Sequence, residues 1–225
     1  MSGLVNADFA RRVVIATDDL PWTPSPQAGV ERRLLDRIGG EIARATSLVR
    51  YAHDRAFPGH VHELGEEFLV LDGIFSDEHG DYPAGTYVRN PPGSFHSPYT
   101  GPGCTIFVKL RQMPPEEDRR IVLETAAAPW EQVEVSGWCA RQVLYASDRT
   151  GEVVTLEKIA ARTRLGPNEI PGGEEIYLLT GSLVDAYGRY QAGTWIRNPA
   201  GFGSDLGSDD GATFWAKRGH LRARS

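Results

Sequence analysis

The two halves of this 225-residue chain carry the same residues at a constant offset of 108 positions. Arg11-Arg12-Val13-Val14-Ile15-Ala16-Thr17 is matched by Arg119-Arg120-Ile121-Val122-Leu123-Glu124-Thr125, and Pro21-Trp22 by Pro129-Trp130. The same register aligns Gly65-Glu66-Glu67 with Gly173-Glu174-Glu175, Gly73 with Gly181, Asp77 with Asp185 and Tyr82 with Tyr190. It continues through Gly85-Thr86 and Gly193-Thr194, Arg89-Asn90-Pro91 and Arg197-Asn198-Pro199, and Gly93 and Gly201, without insertion or deletion. One register held over so long a stretch requires a duplicated structural unit. The seam falls near Pro114-Pro115, which predicts an N-terminal domain over 1–113 and a C-terminal domain over 114–225.

Each unit reads as short strands. Glu67-Phe68-Leu69-Val70-Leu71, Thr86-Tyr87-Val88-Arg89 and Cys104-Thr105-Ile106-Phe107-Val108-Lys109 are rich in β-branched and aromatic residues. Turn residues separate them at Gly73, Glu78-His79-Gly80-Asp81, Ala84-Gly85, Pro91-Pro92-Gly93 and Gly101-Pro102-Gly103, a spacing that leaves little room for long helices. The predicted fold class is therefore all-β, two tandem jelly-roll barrels. A short helical turn is expected around Pro115 to Arg120, with a counterpart near Asn6 to Arg12; the RRxVxxT segments are read as that turn or as strands.

Composition narrows the partners. The formal charge is −6 with no run of Lys or Arg, which gives no support to a nucleic-acid or anionic-membrane surface and points to small molecules. No stretch approaches the length of a membrane span and the N-terminus lacks a signal-peptide core, so a cytoplasmic location is expected. Cys104 and Cys139 stand in no ligand-like spacing and are read as buried fillers rather than a disulfide.

The chemistry concentrates in the first half. His60 and His62 are two apart, which on a strand puts both rings on one face. Glu66 follows after a Gly65 turn, and His96 arrives after Pro91-Pro92-Gly93. Three imidazoles and a carboxylate facing into a barrel form a site for one divalent transition metal: Zn or Fe(II), with Mn, Ni or Co as alternatives. His53, His79 and His220 lie outside this group and are read as solvated or structural. Under the 108-residue offset the four positions become Asn168, Ile170, Glu174 and Ser204, so the second half keeps the turns and loses the imidazoles. Glu174 is expected to pair inside its barrel with Arg164 or Arg197; the alternative is that the second cavity binds an organic ligand.

The two segments resemble the paired motifs of the cupin superfamily, HxH(x)3–4E(x)6G and G(x)5PxG(x)2H, which read here His60, His62, Glu66, Gly73 and Gly85, Pro91, Gly93, His96. The pattern has Asp54 where a leading Gly is common and Thr100 where a trailing Asn is common. Its (x)6G spacing selects Glu66 over Glu67, which should point to the other face. The run from Gly65 to Gln112 is more narrowly similar to the cupin domain of ChrR-type anti-sigma factors, and the tandem arrangement to their stand-alone bicupin relatives. That resemblance implies zinc binding through the same three His and one Glu. It does not carry sigma-factor binding, which in that family resides in a separate helical zinc domain that this sequence is not expected to contain.

Similar stand-alone cupins imply a metal-dependent dioxygenase acting on a small diketone or aromatic ketone. The alternatives are a metal- or oxidant-responsive regulatory cupin without turnover, and a structural or small-ligand-binding bicupin. Glu66, as ligand or base, and Tyr99, as a nearby donor, are the candidate catalytic residues. Phe57, Phe68, Tyr87 and Phe107 are expected to line the first cavity, with Arg89 as an anion partner. A homodimer is expected.

Overall fold

In the computed structural model, which describes residues 3–40, 42–135, 137–166 and 168–221, the chain is nearly all strand. The described residues contain one helical element, a 3-10 turn at Thr17–Asp19. Neither stretch expected to hold a short helix does so. Residues 115–120 form a turn and extended chain, while the RRxVxxT segments become the strands Val13–Ala16 and Ile121–Glu124. The alternation of exposed and half-buried side chains in both segments suits the edge of a sheet better than a helix.

Unit 1 is built on a sheet ordered Leu4–Val5, Val30–Gly39, Ala43–Tyr51, Cys104–Leu110, Glu66–Asp77, Thr86–Asn90, Ile121–Glu124. A two-stranded sheet of His60–His62 and Ser94–His96 accompanies it. Unit 2 repeats the plan as Glu131–Val135, Gly137–Ser147, Glu152–Ile159, Ala212–Arg218, Glu174–Asp185, Thr194–Asn198, Val13–Ala16, with Asn168–Ile170 paired to Phe202–Ser204.

The last strand of each sheet comes from the other repeat. Ile121–Glu124, which opens the second repeat, pairs with Thr86–Asn90; Val13–Ala16, which opens the first, pairs with Thr194–Asn198. The compact units accordingly comprise residues 1–7 with 21–128, and 8–20 with 129–225. The duplication seam at 113/114 and the division into compact units are different boundaries.

Strand parity fixes what each barrel holds. Phe68 stands opposite both Val88 and Val108, and these three join Val30, Val49, Phe57, Val70, Phe75, Tyr82, Cys104 and Ile106 in the core of unit 1. Tyr87 and Phe107 stand opposite Leu69, one position out of phase, so they belong to the opposite sheet face. This corrects the expected lining: Phe57 and Phe68 are interior, whereas Tyr87 and Phe107 are not. Arg89 shares the Tyr87 face, where its Nη1 lies 2.6 Å from Glu67 Oε2 and the Tyr87 hydroxyl donates to the same oxygen at 2.9 Å. It is thereby removed as an anion partner in the cavity, and Glu67 takes the face opposite Glu66 as the motif spacing requires.

The shared glycines do the same work in both units. Gly73 adopts φ +73°, and a Cβ there would fall 2.0 Å from the Gly103 carbonyl oxygen; Gly181 adopts φ +76°, with the same 2.0 Å conflict against Gly211. Only glycine fits so close a backbone approach at positive φ. Cys104 and Cys139 are both free and buried, as expected of fillers.

Candidate metal centre

The small sheet of unit 1 carries the histidines. His96 is directly opposite His60, and Ser94 opposite His62, so the pleat turns His60, His62 and His96 to one side. Gly65, at φ +73° and donating its N–H to the His62 carbonyl at 3.1 Å, reverses the chain so that Glu66 begins the next strand facing the same interior. A side chain there would strike Met113, whose sulfur would lie 2.4 Å from the added Cβ.

One ligand atom from each of the three histidines lies within 4.8 Å of the others. His62 Nε2 and His96 Nε2 are 3.0 Å apart, and Glu66 Oε2 is 3.4 Å from the first and 3.7 Å from the second. Two donors bound to one ion at about 2.1 Å stand roughly 3.0–3.4 Å from each other, so this spacing is that of groups sharing a cation. The donor set fits a divalent transition metal held by His60, His62 and His96, with Glu66 at hand as a fourth donor. His62, Glu66 and His96 are buried, while His60 is exposed.

The outer nitrogens fix the ring orientations. His60 Nδ1 lies 3.0 Å from the Pro58 carbonyl, and His96 Nδ1 lies 3.3 Å from Asp77 Oδ2. Each nitrogen donates there, which leaves Nε2 with its lone pair toward the common centre. Asp77 is held in turn by Tyr82, whose hydroxyl donates to Oδ1 at 2.8 Å and accepts from Arg120 Nη2 at 2.8 Å. Asn90 Nδ2 donates to Glu66 Oε2 at 3.2 Å.

Burial pushes the His62 imidazole below its ordinary value, with Glu66 opposing and the two neighbouring histidines adding to the fall. Burial acts the same way on His96, but the hydrogen bond to Asp77 and the charges of Glu66 and Asp77 outweigh it and raise that group. Burial, with Glu66 adding to it, holds the Tyr51 phenol well above its usual range, so it stays a proton donor.

Of the remaining residues singled out from sequence, Tyr99 is 44% exposed, with its backbone paired to Ala56 and Ser76. No hydrogen bond or ring contact among the described residues joins it to the three histidines. His53 sits exposed beside Asp54, and His220 hydrogen-bonds Glu175 at 2.9 Å. Asp77, Asn90 and Tyr51 were not anticipated. Asp77 and Asn90 recur as Asp185 and Asn198, a signal the repeat itself contains.

Unit 2 closes the equivalent positions with arginines. Arg218 Nε donates to Glu174 Oε2 at 2.7 Å, and Asn198 Nδ2 to Glu174 Oε1 at 3.2 Å. Arg218 is directly opposite Glu174 in the ladder, which corrects the expected partners. Arg164 is instead paired with Asp209 at 2.8 Å, and Arg197 is opposite Glu175, one residue out of phase, with its guanidinium over Phe9. Asp185 keeps its tyrosine, Tyr190 donating at 2.6 Å, but the oxygen that serves His96 in unit 1 is here 2.6 Å from Arg12 Nη2. The side chains of Asn168 and Ser204 lie outside the described residues.

A family model described as the ChrR cupin-like domain matches the chain twice, at residues 10–114 and 118–222. Among solved structures, a proposed dioxygenase of Nostoc punctiforme superposes with a TM-score of 0.79 at 19% identity, covering 95% of this chain and 85% of that one. A bacterial pirin of Escherichia coli in complex with nickel(II) gives 0.69 at 10% identity, covering 92% and 98%. Oxalate decarboxylase of Bacillus subtilis gives 0.60 at 13%, covering 94% and 78%. These likenesses show the tandem barrel fold. No curated protein matches by sequence. No helix among the described residues is long and apolar enough to cross a membrane.

Proposed function

This chain belongs to the ChrR cupin-like family through both of its halves, and from that premise we propose that its first barrel is the centre of a metal-dependent dioxygenase acting on small diketones or aromatic ketones. The observation that carries the reading is the asymmetry of the donor set. Three donors are buried, His96 and Glu66 among them positioned by Asp77 and Asn90, while His60 is exposed. A site meant only to stiffen the fold gains from closure on all sides, whereas a catalytic one keeps a position for substrate.

The residues divide the work. His60, His62 and His96, with Glu66 as a fourth donor or as the base, would hold the metal, which would polarise substrate oxygens as a Lewis acid and, as Fe(II), supply access to O2. Asp77 keeps the Nδ1 proton of His96 and thus the lone pair of Nε2 in place. Glu66, within reach of the same centre, is the candidate to take a carbon-bound proton from the substrate, and Asn90 orients it for that transfer. Phe57 and Phe75 form the apolar wall, Phe75 lying 5.8 Å from the His96 ring. Tyr99, an exposed phenol three residues beyond His96, is the candidate donor to a substrate oxygen from the solvent side. The name of the Nostoc punctiforme neighbour supports the same reaction class.

The test is elemental analysis of protein purified without added metal, then oxygen-electrode assays after anaerobic loading with Fe(II), using β-diketones and aryl diketones. Oxygen uptake that follows substrate and disappears in His62→Ala supports the proposal. Zinc at full occupancy, with no uptake for any substrate in either metal form, overturns it in favour of the regulatory or structural reading.

A further inference from the structure

Unit 2 has a half-open cavity of about 510 Å³, within the range that takes small organic ligands. Its apolar wall is Val133, Cys139, Ile159, Leu165, Ile170 and Leu206, and its polar side is Glu157, Glu174 and Arg218. The space has a cause in the sequence. Where the first repeat has the rings of Tyr51, Phe57 and His62, the second has Ile159, Leu165 and Ile170. Where the first has Val49 and Leu110, the second has Glu157 and Arg218. Loss of rings alone leaves a dry void; a pair of charges placed beside that void gives it a polar end.

The charges do not balance. Arg218 serves both carboxylates, donating Nε to Glu174 and both terminal nitrogens to Glu157. Thr155 donates to Glu157 at 2.8 Å and Asn198 to Glu174, but neither adds charge. Two other cations border the cavity. Arg141 is half-exposed and lies 3.7 Å from Glu131, and the Lys158 ammonium lies 3.9 Å from the centre of the Trp130 ring. Arg141 stands opposite Glu157 in the ladder and adds its charge to that carboxylate from the exposed side, while Lys158 keeps its ammonium in solvent. Among the described residues only Arg218 bonds both acids, so the inner end of the cavity, at Glu174, is left short of positive charge.

We propose that the second barrel binds a small organic cation, an ammonium group on a short apolar body, with its head at the Glu157–Glu174 carboxylates and its body against Leu165, Ile170 and Leu206. An anion would meet two carboxylates whose guanidinium is already engaged, and a neutral ligand would leave the inner end short of positive charge. Burial, with Glu157 adding to it, holds the Glu174 carboxyl above its usual range, as expected of an acid that shares Arg218 with a second carboxylate. An entering ammonium supplies a further cation. Nothing in this assignment depends on the metal of the first barrel.

The experiment is calorimetric titration of the full chain with n-hexylammonium, and with hexanol and hexanoate as neutral and anionic counterparts. One saturable site for the ammonium is expected, with binding about tenfold weaker for hexanol and none for hexanoate. Glu157→Gln should weaken the ammonium by about tenfold. Leu165→Phe, which returns the ring of the first repeat to the cavity, should abolish binding while leaving metal stoichiometry unchanged. Methyl NMR of the unsubstituted protein locates the ligand independently of any variant: shifts confined to Ile159, Leu165, Ile170 and Leu206 support the assignment. Hexanoate binding as tightly as hexylammonium, shifts centred elsewhere, or no binding of any probe at about 10 mM overturns it.

Discussion

The two barrels solve one electrostatic problem in opposite ways. Each buries a carboxylate at the start of its long strand, Glu66 or Glu174, held by an equivalent asparagine. Each also has an aspartate supported by a tyrosine, Asp77 with Tyr82 and Asp185 with Tyr190. In unit 1 these acids face imidazoles whose lone pairs converge, an arrangement that needs an external cation. In unit 2 they face Arg218 and Arg12, cations from the chain itself. Removing three histidines was thus not enough to retire a metal site, because the acids left behind would be buried without a partner.

The strongest break in this contrast is removal of a buried ligand. His62→Ala is expected to reduce bound metal from one per chain to nearly none by elemental analysis, whereas Ile170→Ala should leave metal content unchanged.

Arg218→Leu tests the other barrel. It leaves Glu174 buried beside Glu157 without a cation, and should cost about 3–5 kcal/mol in denaturant unfolding of that unit. Adding histidines at 168, 170 and 204 to this variant should recover much of that loss only when Zn is present. The same three histidines placed with Arg218 intact should bind metal poorly, because Glu174 is already engaged.

Asp77→Asn sharpens the comparison more gently. Without its anion, His96 loses orientation, and metal affinity should fall about 10–100-fold in a chelator competition. Protons compete with the metal for the imidazoles, so acidification should release it from the parent protein, with the raised His96 group favouring that competition. Because Asp77→Asn holds the metal more weakly, its release midpoint should move to higher pH than the parent's. Asp185→Asn should change neither quantity. The smallest effect is expected for Phe57→Leu, which imitates Leu165 in the first core and should destabilise unit 1 by about 1 kcal/mol in the same unfolding assay.

Much of this was legible from sequence because the constraints were local. Gly73 and Gly181 need positive φ wherever the chain goes, and His60 and His62 share a face on any strand. The candidate fourth donor, Glu66, was indicated by the motif that the segment resembles. What escaped was decided by pairing across the sheet. Nothing in the sequence near Glu174 points to Arg218, which reaches it only because two strands far apart in sequence lie in register. Tyr87 and Phe107 were misplaced for a related reason: an alternating strand has two faces, and composition does not say which is inside when both are buried. Counting parity outward from Glu66 through Phe68 to Val88 would have corrected it. Nor can the repeat reveal which sheet receives each RRxVxxT segment, since equivalent segments offer equivalent backbone hydrogen bonds.

That last ambiguity has a consequence for the size of the folding unit. A fragment ending at residue 113 would lack Ile121–Glu124 and expose the backbone edge of Thr86–Asn90, while its own Val13–Ala16 would have no sheet to join. Two such fragments can satisfy each other, each lending its opening strand to its mate. In the tandem chain the linker holds the two halves at high effective concentration, so the exchange closes within one molecule. A single repeat produced alone should therefore be found as a domain-swapped pair.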